Sequence, residues 1–138
     1  MREILFRGKQ VDNGEWETGS LLVERMNTSD QQVMITDKMT GYPTLVLPET
    51  VGQYTGLKDK TGKKIFEGDI LSGHLDELFP EDESRYPVVW HDYGWHIKCG
   101  NKSFDTLEQW WVAKFLEVIG NIYDNPEMIE RGAENEDQ

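Results

Sequence analysis

Apolar positions in this 138-residue chain come in short runs separated by turn residues, and only one stretch has clear helical character. Glu3 to Val11 and Glu15 to Glu24 flank Asp12-Asn13-Gly14. Asn-Gly favours a tight hairpin because both residues tolerate positive φ, so these runs predict the first β-hairpin. Trp16 and Thr18 alternate with Glu17, as in a half-buried strand. Gly19 then interrupts before Leu21-Leu22-Val23, which predicts a β-bulge that switches the inward face. Gln32 to Thr36 and Thr44 to Leu47, bounded by Gly41, Pro43 and Pro48, predict a second strand pair. Asn27-Thr28-Ser29-Asp30 reads as a polar turn.

The second half follows another layout. Asp59-Lys60-Thr61-Gly62 fits a type I turn with glycine in the left-handed position, joining two short strands. Gly68-Asp69 opens a strand at Ile70-Leu71. Val88 to Trp90 and Trp95 to Ile97 flank the turn Asp92-Tyr93-Gly94. Asp105-Thr106-Leu107-Glu108 has the spacing of a capping box and predicts a short helix through Trp110-Trp111. Leu116 to Ile119 is apolar enough for a further strand. Asn125 followed by Pro126 predicts the start of a short terminal helix. Residues 132–138 are too acidic and too poor in apolar groups to order themselves.

Composition narrows the function classes. Aromatic residues make up 11% of the chain, sufficient for a core, and thirteen glycines fit a turn-rich β protein. A single cysteine, Cys99, allows neither an internal disulfide nor a cysteine-based metal site. No apolar run approaches the roughly 18 residues of a membrane span. The opening Met1-Arg2-Glu3-Ile4-Leu5-Phe6-Arg7 breaks into charge too early for a signal peptide. These features point to an intracellular protein of a reducing compartment.

The net charge of −12 is unevenly placed. Leu75 to Arg85 and Glu127 to Gln138 together hold ten acids and two bases, giving −8 of the −12. The acidity thus belongs mainly to an expected loop and an expected tail, where charge runs are usually solvated. It disfavours duplex nucleic acid as a partner, because phosphate binding needs concentrated Lys and Arg.

Four blocks carry a family resemblance. They are Phe6-Arg7-Gly8-Lys9 with Asn13-Gly14-Glu15-Trp16; Val51 to Ile70; Val89-Trp90 through Tyr93-Gly94; and Val118-Ile119-Gly120-Asn121-Ile122-Tyr123-Asp124-Asn125-Pro126-Glu127. In order and spacing the chain resembles the YopX family of phage and prophage proteins, whose biochemical role is unassigned. The stretch from Leu75 to Arg85 departs from it as a longer loop than the pattern needs. The resemblance implies a mainly β protein: an N-terminal β region over residues 1–50, an element for self-association, then an SH3-type barrel over residues 51–131 with one or two short helices. It also implies a homo-oligomer, rings included, working in the bacterial host cytoplasm. Glu67-Gly68-Asp69-Ile70-Leu71, followed by two strands around a glycine turn, agrees with a barrel independently.

Candidate chemistry is sparse. His91, Asp92 and His96 form the one histidine–carboxylate cluster, the basis for a small metal-dependent hydrolase. The two histidines have opposite strand parity and no known ligand spacing, so strand-end residues without a metal are the preferred reading. No cofactor is expected. Cys99 lacks the setting of a nucleophile, no Gly-x-Ser-x-Gly occurs, and Thr61-Gly62-Lys63-Lys64 lacks the rest of a phosphate loop. Lys58, Lys60, Lys63 and Lys64, with Tyr54 and Phe66 nearby, form the one basic cluster. It reads as a solvated hairpin tip, a docking point for an acidic copy of the same protein, or a single-stranded nucleic-acid platform with stacking aromatics. Trp16, Trp110 and Trp111 are candidate interface residues, and two adjacent tryptophans cannot share one helical face. The expectation is a non-enzymatic interaction module whose partners are itself and an unidentified host or phage protein.

Overall fold

The computed structural model describes residues 3–25, 31–73, 84–91, 93–99 and 103–129, leaving aside the side chains of residues 84, 99, 103–105 and 109–111. The expected turn at Asn27 to Asp30, the acidic segment through residue 83, Asp92 and the tail 132–138 lie outside the described residues. The chain is mainly β, with antiparallel pairing throughout and only short helices among the described residues. It divides into two compact units between Tyr54 and Thr55.

In the first unit β1 (Phe6–Lys9), β2 (Trp16–Arg25), β3 (Gln31–Thr36), β4 (Pro43–Leu45) and the start of β5 (Gly52–Lys58) lie in the order β4-β3-β2-β1-β5. The Asn-Gly loop joins β1 to β2 as expected. The Gly14 N–H donates to Gln10 O (3.0 Å) and the Glu15 N–H to Asn13 Oδ1 (2.9 Å). Long β2 serves two neighbours: residues 16–19 pair with β1 and residues 20–25 with β3. One face buries Ile35, with Leu21 and Thr44 directly across from it.

The predicted bulge at Gly19 is not seen: the ladder with β1 ends at Gly19, the ladder with β3 begins at Ser20, and neither shifts register. Steric room explains the glycine instead. A Cβ there would overlap the carbonyl oxygen of Thr36, where β2 exchanges one partner for the other.

In the second unit β6 (Lys64–Phe66) accompanies the end of β5. β7 (Asp69–Gly73), β8 (Ser84–His91), β9 (Gly94–Cys99), β10 (Ser103–Thr106) and β11 (Leu116–Asn121) form a sheet in the order β10-β9-β8-β7-β11. The short helix α1 (Gln109–Phe115) precedes β11. Ile65, Leu71, Val88, Ile97, Leu107, Val112 and Leu116 make one buried cluster. Each large aliphatic side chain withdrawn from water there contributes about 1.5–3 kcal/mol before entropy is counted. Period-2 patterning located β7, β8, β9 and β11 correctly.

Three expectations need correction. The sheets are open and do not close into an SH3-type barrel among the described residues. The predicted helix through Trp110-Trp111 forms as α1, but without its capping box: Asp105 and Thr106 pair with Ile97 and His96 in β10, and Glu108 makes no side-chain cap. Cross-strand pairing outweighed a local capping signal. At the terminal helix, Pro126 is in place, but the Asn125 side chain turns back to accept from Asn121 N–H (3.2 Å). Asn121 Oδ1 in turn accepts the N–H groups of Tyr123 (3.0 Å) and Asp124 (2.9 Å).

The Gly19 contact gives a direct test. Gly19→Ala should destabilise the protein by about 1–3 kcal/mol through overpacking against the backbone, whereas Ser20→Ala, at an exposed position, should change stability by less than about 0.5 kcal/mol. Urea unfolding of the two variants measures both.

Candidate functional site

The basic cluster sits on the β5–β6 hairpin, and its shape is set by Asp59. Asp59 N–H donates to Lys63 O (2.9 Å), and Gly62 N–H donates back to Asp59 O (2.9 Å). Gly62 has φ of 88°, so glycine fills the left-handed position that the turn demands. The Asp59 side chain is 3% exposed. Its Oδ1 accepts from Thr61 N–H (2.9 Å), Thr61 Oγ1 (2.7 Å) and Lys63 N–H (2.9 Å). Its Oδ2 accepts from Val118 N–H of β11 (2.8 Å). Lys60 N–H adds a bond to Leu116 O (2.9 Å). Burial pushes the Asp59 carboxyl up, but the bonds from Val118, Thr61 and Lys63 outweigh it and hold it below the ordinary value.

With its carboxylate turned into this network, the hairpin presents Lys58, Lys60 and Lys63 as exposed side chains and Lys64 as half-buried. The predicted aromatic partners are not available. Tyr54 is 6% exposed in the first unit, and Phe66 is buried in the second. The hairpin is a cationic tip without a stacking surface from these two rings, which corrects the expectation of a base-stacking platform there.

The β8–β9 hairpin concentrates the exposed rings. Trp90 pairs with Trp95 across the strands, ring centroids 4.9 Å apart and nearly perpendicular. Trp90 is 54% exposed, and Tyr93, at φ 65° in the turn, is 95% exposed. His91 pairs with Gly94, which places His96 two residues on along the same face; the imidazole centroids stand 5.6 Å apart. Opposite sequence parity therefore becomes one face, because a two-residue turn folds an odd spacing back onto itself. That relation was missed in the sequence, although the Asp92-Tyr93-Gly94 turn signalled it. Asp92 itself is outside the described residues. Among the described residues no group of three or more His, Cys, Asp or Glu side chains is placed to hold a metal ion.

The interface candidates fall out differently. Trp16 is half-buried, with the Arg7 guanidinium 4.7 Å and the Lys9 ammonium 5.9 Å from its ring centre. The side chains of Trp110 and Trp111 lie outside the described residues. Sequence reasoning passed over a row running straight across three strands. Leu22 faces Met34, and Met34 faces Leu45. Residues directly opposite share a face, so these three form an apolar stripe, with Leu22 41% and Leu45 45% exposed. By strand parity Trp16 lies on the same side of β2 as Leu22.

The model of the YopX protein family matches residues 5–130. The chain belongs to the YopX family. Its fold is similar to that of protein EF1440 from Enterococcus faecalis, at 21% identity and a TM-score of 0.55, covering 92% of this chain and 98% of that one. It is likewise similar to YopX from Bacillus subtilis, at 18% identity and a TM-score of 0.54, covering 93% and 98%. At these identities the likeness concerns the fold. No curated protein matches the chain. No helix among the described residues is long and apolar enough to cross a membrane.

Asp59 supplies a prediction with a defined pH dependence. Asp59→Asn replaces one acceptor oxygen by a donor group facing the others, and should cost about 1–3 kcal/mol at neutral pH. A carboxyl held below its ordinary value stabilises the fold above the unfolded-state pKa, and that contribution is lost as pH falls through the folded-state value. The gap between wild type and variant should therefore stay constant above the carboxylate range and narrow below it. Denaturant unfolding across pH measures the gap.

Proposed function

We propose that this YopX-family protein is a non-enzymatic interaction module that works as a self-assembling accessory protein of a phage or prophage in the bacterial host cytoplasm. The observation that supports this reading is the stripe Leu22–Met34–Leu45, which reaches the outermost strand of its sheet, β4. Sheet edges and apolar stripes need covering. A second copy covers both economically, because one patch can meet itself across a twofold axis. Trp16 on the same side of the sheet extends the surface.

Charge discriminates this mode from its competitor. Two chains of −12 repel each other at long range, so assembly through the apolar stripe strengthens as salt screens that repulsion. Docking of the lysine tip onto an acidic segment of another copy weakens with salt. The exposed Lys58, Lys60 and Lys63 favour a second function, association with single-stranded nucleic acid. It ranks lower because Tyr54 and Phe66 are buried.

Light scattering at micromolar concentration is expected to give an oligomer whose mass holds or grows as salt is raised. Leu22→Glu with Leu45→Glu should yield a folded monomer. A wild-type monomer, or an unchanged assembly in the double variant, would reject the stripe as the interface. A salt-sensitive anisotropy change on a labelled single-stranded oligonucleotide would move the assignment to the lysine hairpin.

A further inference from the structure

We propose that His91 and His96 form a surface site for one borderline transition-metal ion, zinc(II) or nickel(II), with water completing the coordination. The inference rests on the β8–β9 hairpin alone and is independent of the self-assembly reading.

Three features of the hairpin support it. The first is spacing. Metal–nitrogen bonds of about 2.0–2.1 Å place each imidazole centre about 3.2 Å from a shared ion, so two ligating rings at a tetrahedral angle stand about 5 Å apart. The observed centroids are 5.6 Å apart, with ring planes at 87°, edge to face and not stacked. The second is the proton. His96 Nδ1 lies 3.1 Å from Gly94 O. A carbonyl oxygen can only accept, so Nδ1 carries the hydrogen, and the neutral ring keeps its lone pair on Nε2. A backbone carbonyl on one nitrogen is the usual device that fixes a metal-binding imidazole. The third is access. Gly94 stands directly opposite His91 and has no side chain. A Cβ there would lie in ordinary contact with His96 Cε1 (3.5 Å), so the glycine keeps side-chain atoms away from that ring.

Imidazole donors suit zinc, nickel and copper and discriminate against magnesium and calcium, which take oxygen. With two protein ligands the site is an ion-holding one, and no reaction is assigned to it.

The test is a zinc titration of the full chain followed by imidazole carbon–proton NMR correlations, with magnesium as control. Zinc should shift the His91 and His96 ring signals together, saturating at one ion per chain, while magnesium leaves them in place. His91→Gln and His96→Gln should each weaken zinc binding by at least about tenfold, the scale already reached by losing an outer-shell partner of a metal ligand. Their backbone amide spectra should stay unchanged outside the hairpin. Zinc shifts at only one of the two rings, or affinity that survives either substitution, would overturn the site and leave the pair as an edge-to-face ring contact.

Discussion

Four hydrogen-bond donors converge on the Asp59 carboxylate, and the second unit is organised around that point. β11 is the outermost strand of its sheet. On its outer side Leu116 O accepts from Lys60 N–H and Val118 N–H donates to Asp59 Oδ2. One side chain thus satisfies a donor of β11 and closes the β5–β6 turn from within. A buried amide left without an acceptor costs about 1–3 kcal/mol, so the β5–β6 turn and the outer side of β11 depend on each other.

The parts of the fold legible in the sequence are those written in adjacent residues. Asn13-Gly14, Gly62 and Asp92-Tyr93-Gly94 marked three hairpins, and alternation placed the strands on either side. What escaped depends on residues far apart in the chain. Whether a sheet closes is decided by its outermost strands, here β10 and β11 in the second sheet, which are not paired among the described residues, and no local signal reports on their pairing. Gly19 read as a bulge because glycine inside a strand usually marks one. Its actual constraint is the carbonyl of Thr36, seventeen positions further on.

The site was less legible for a related reason. Tyr54 beside four lysines looks like a nucleic-acid platform in one dimension, yet packing buries the ring. Leu22, Met34 and Leu45 carry no motif, and only the register of three strands aligns them. Antiparallel register also brought His91 beside His96, although their parity in the sequence argued against it. Functional surfaces on β proteins are built across strands, so a reading along the strand finds the residue types before it finds their neighbours.

The two sides of the β8–β9 hairpin separate two kinds of chemistry on a few residues. One carries the crossed Trp90 and Trp95 rings, the other the imidazoles. Alternation makes this separation obligatory, because successive side chains must point to opposite faces. A ligand engaged by the tryptophans therefore meets different atoms from one engaged by the histidines. The two faces still share a backbone: Trp90 pairs with Trp95 and His91 with Gly94 in consecutive rungs. The register that places the tryptophans on one side and the imidazoles on the other is the same for both pairs.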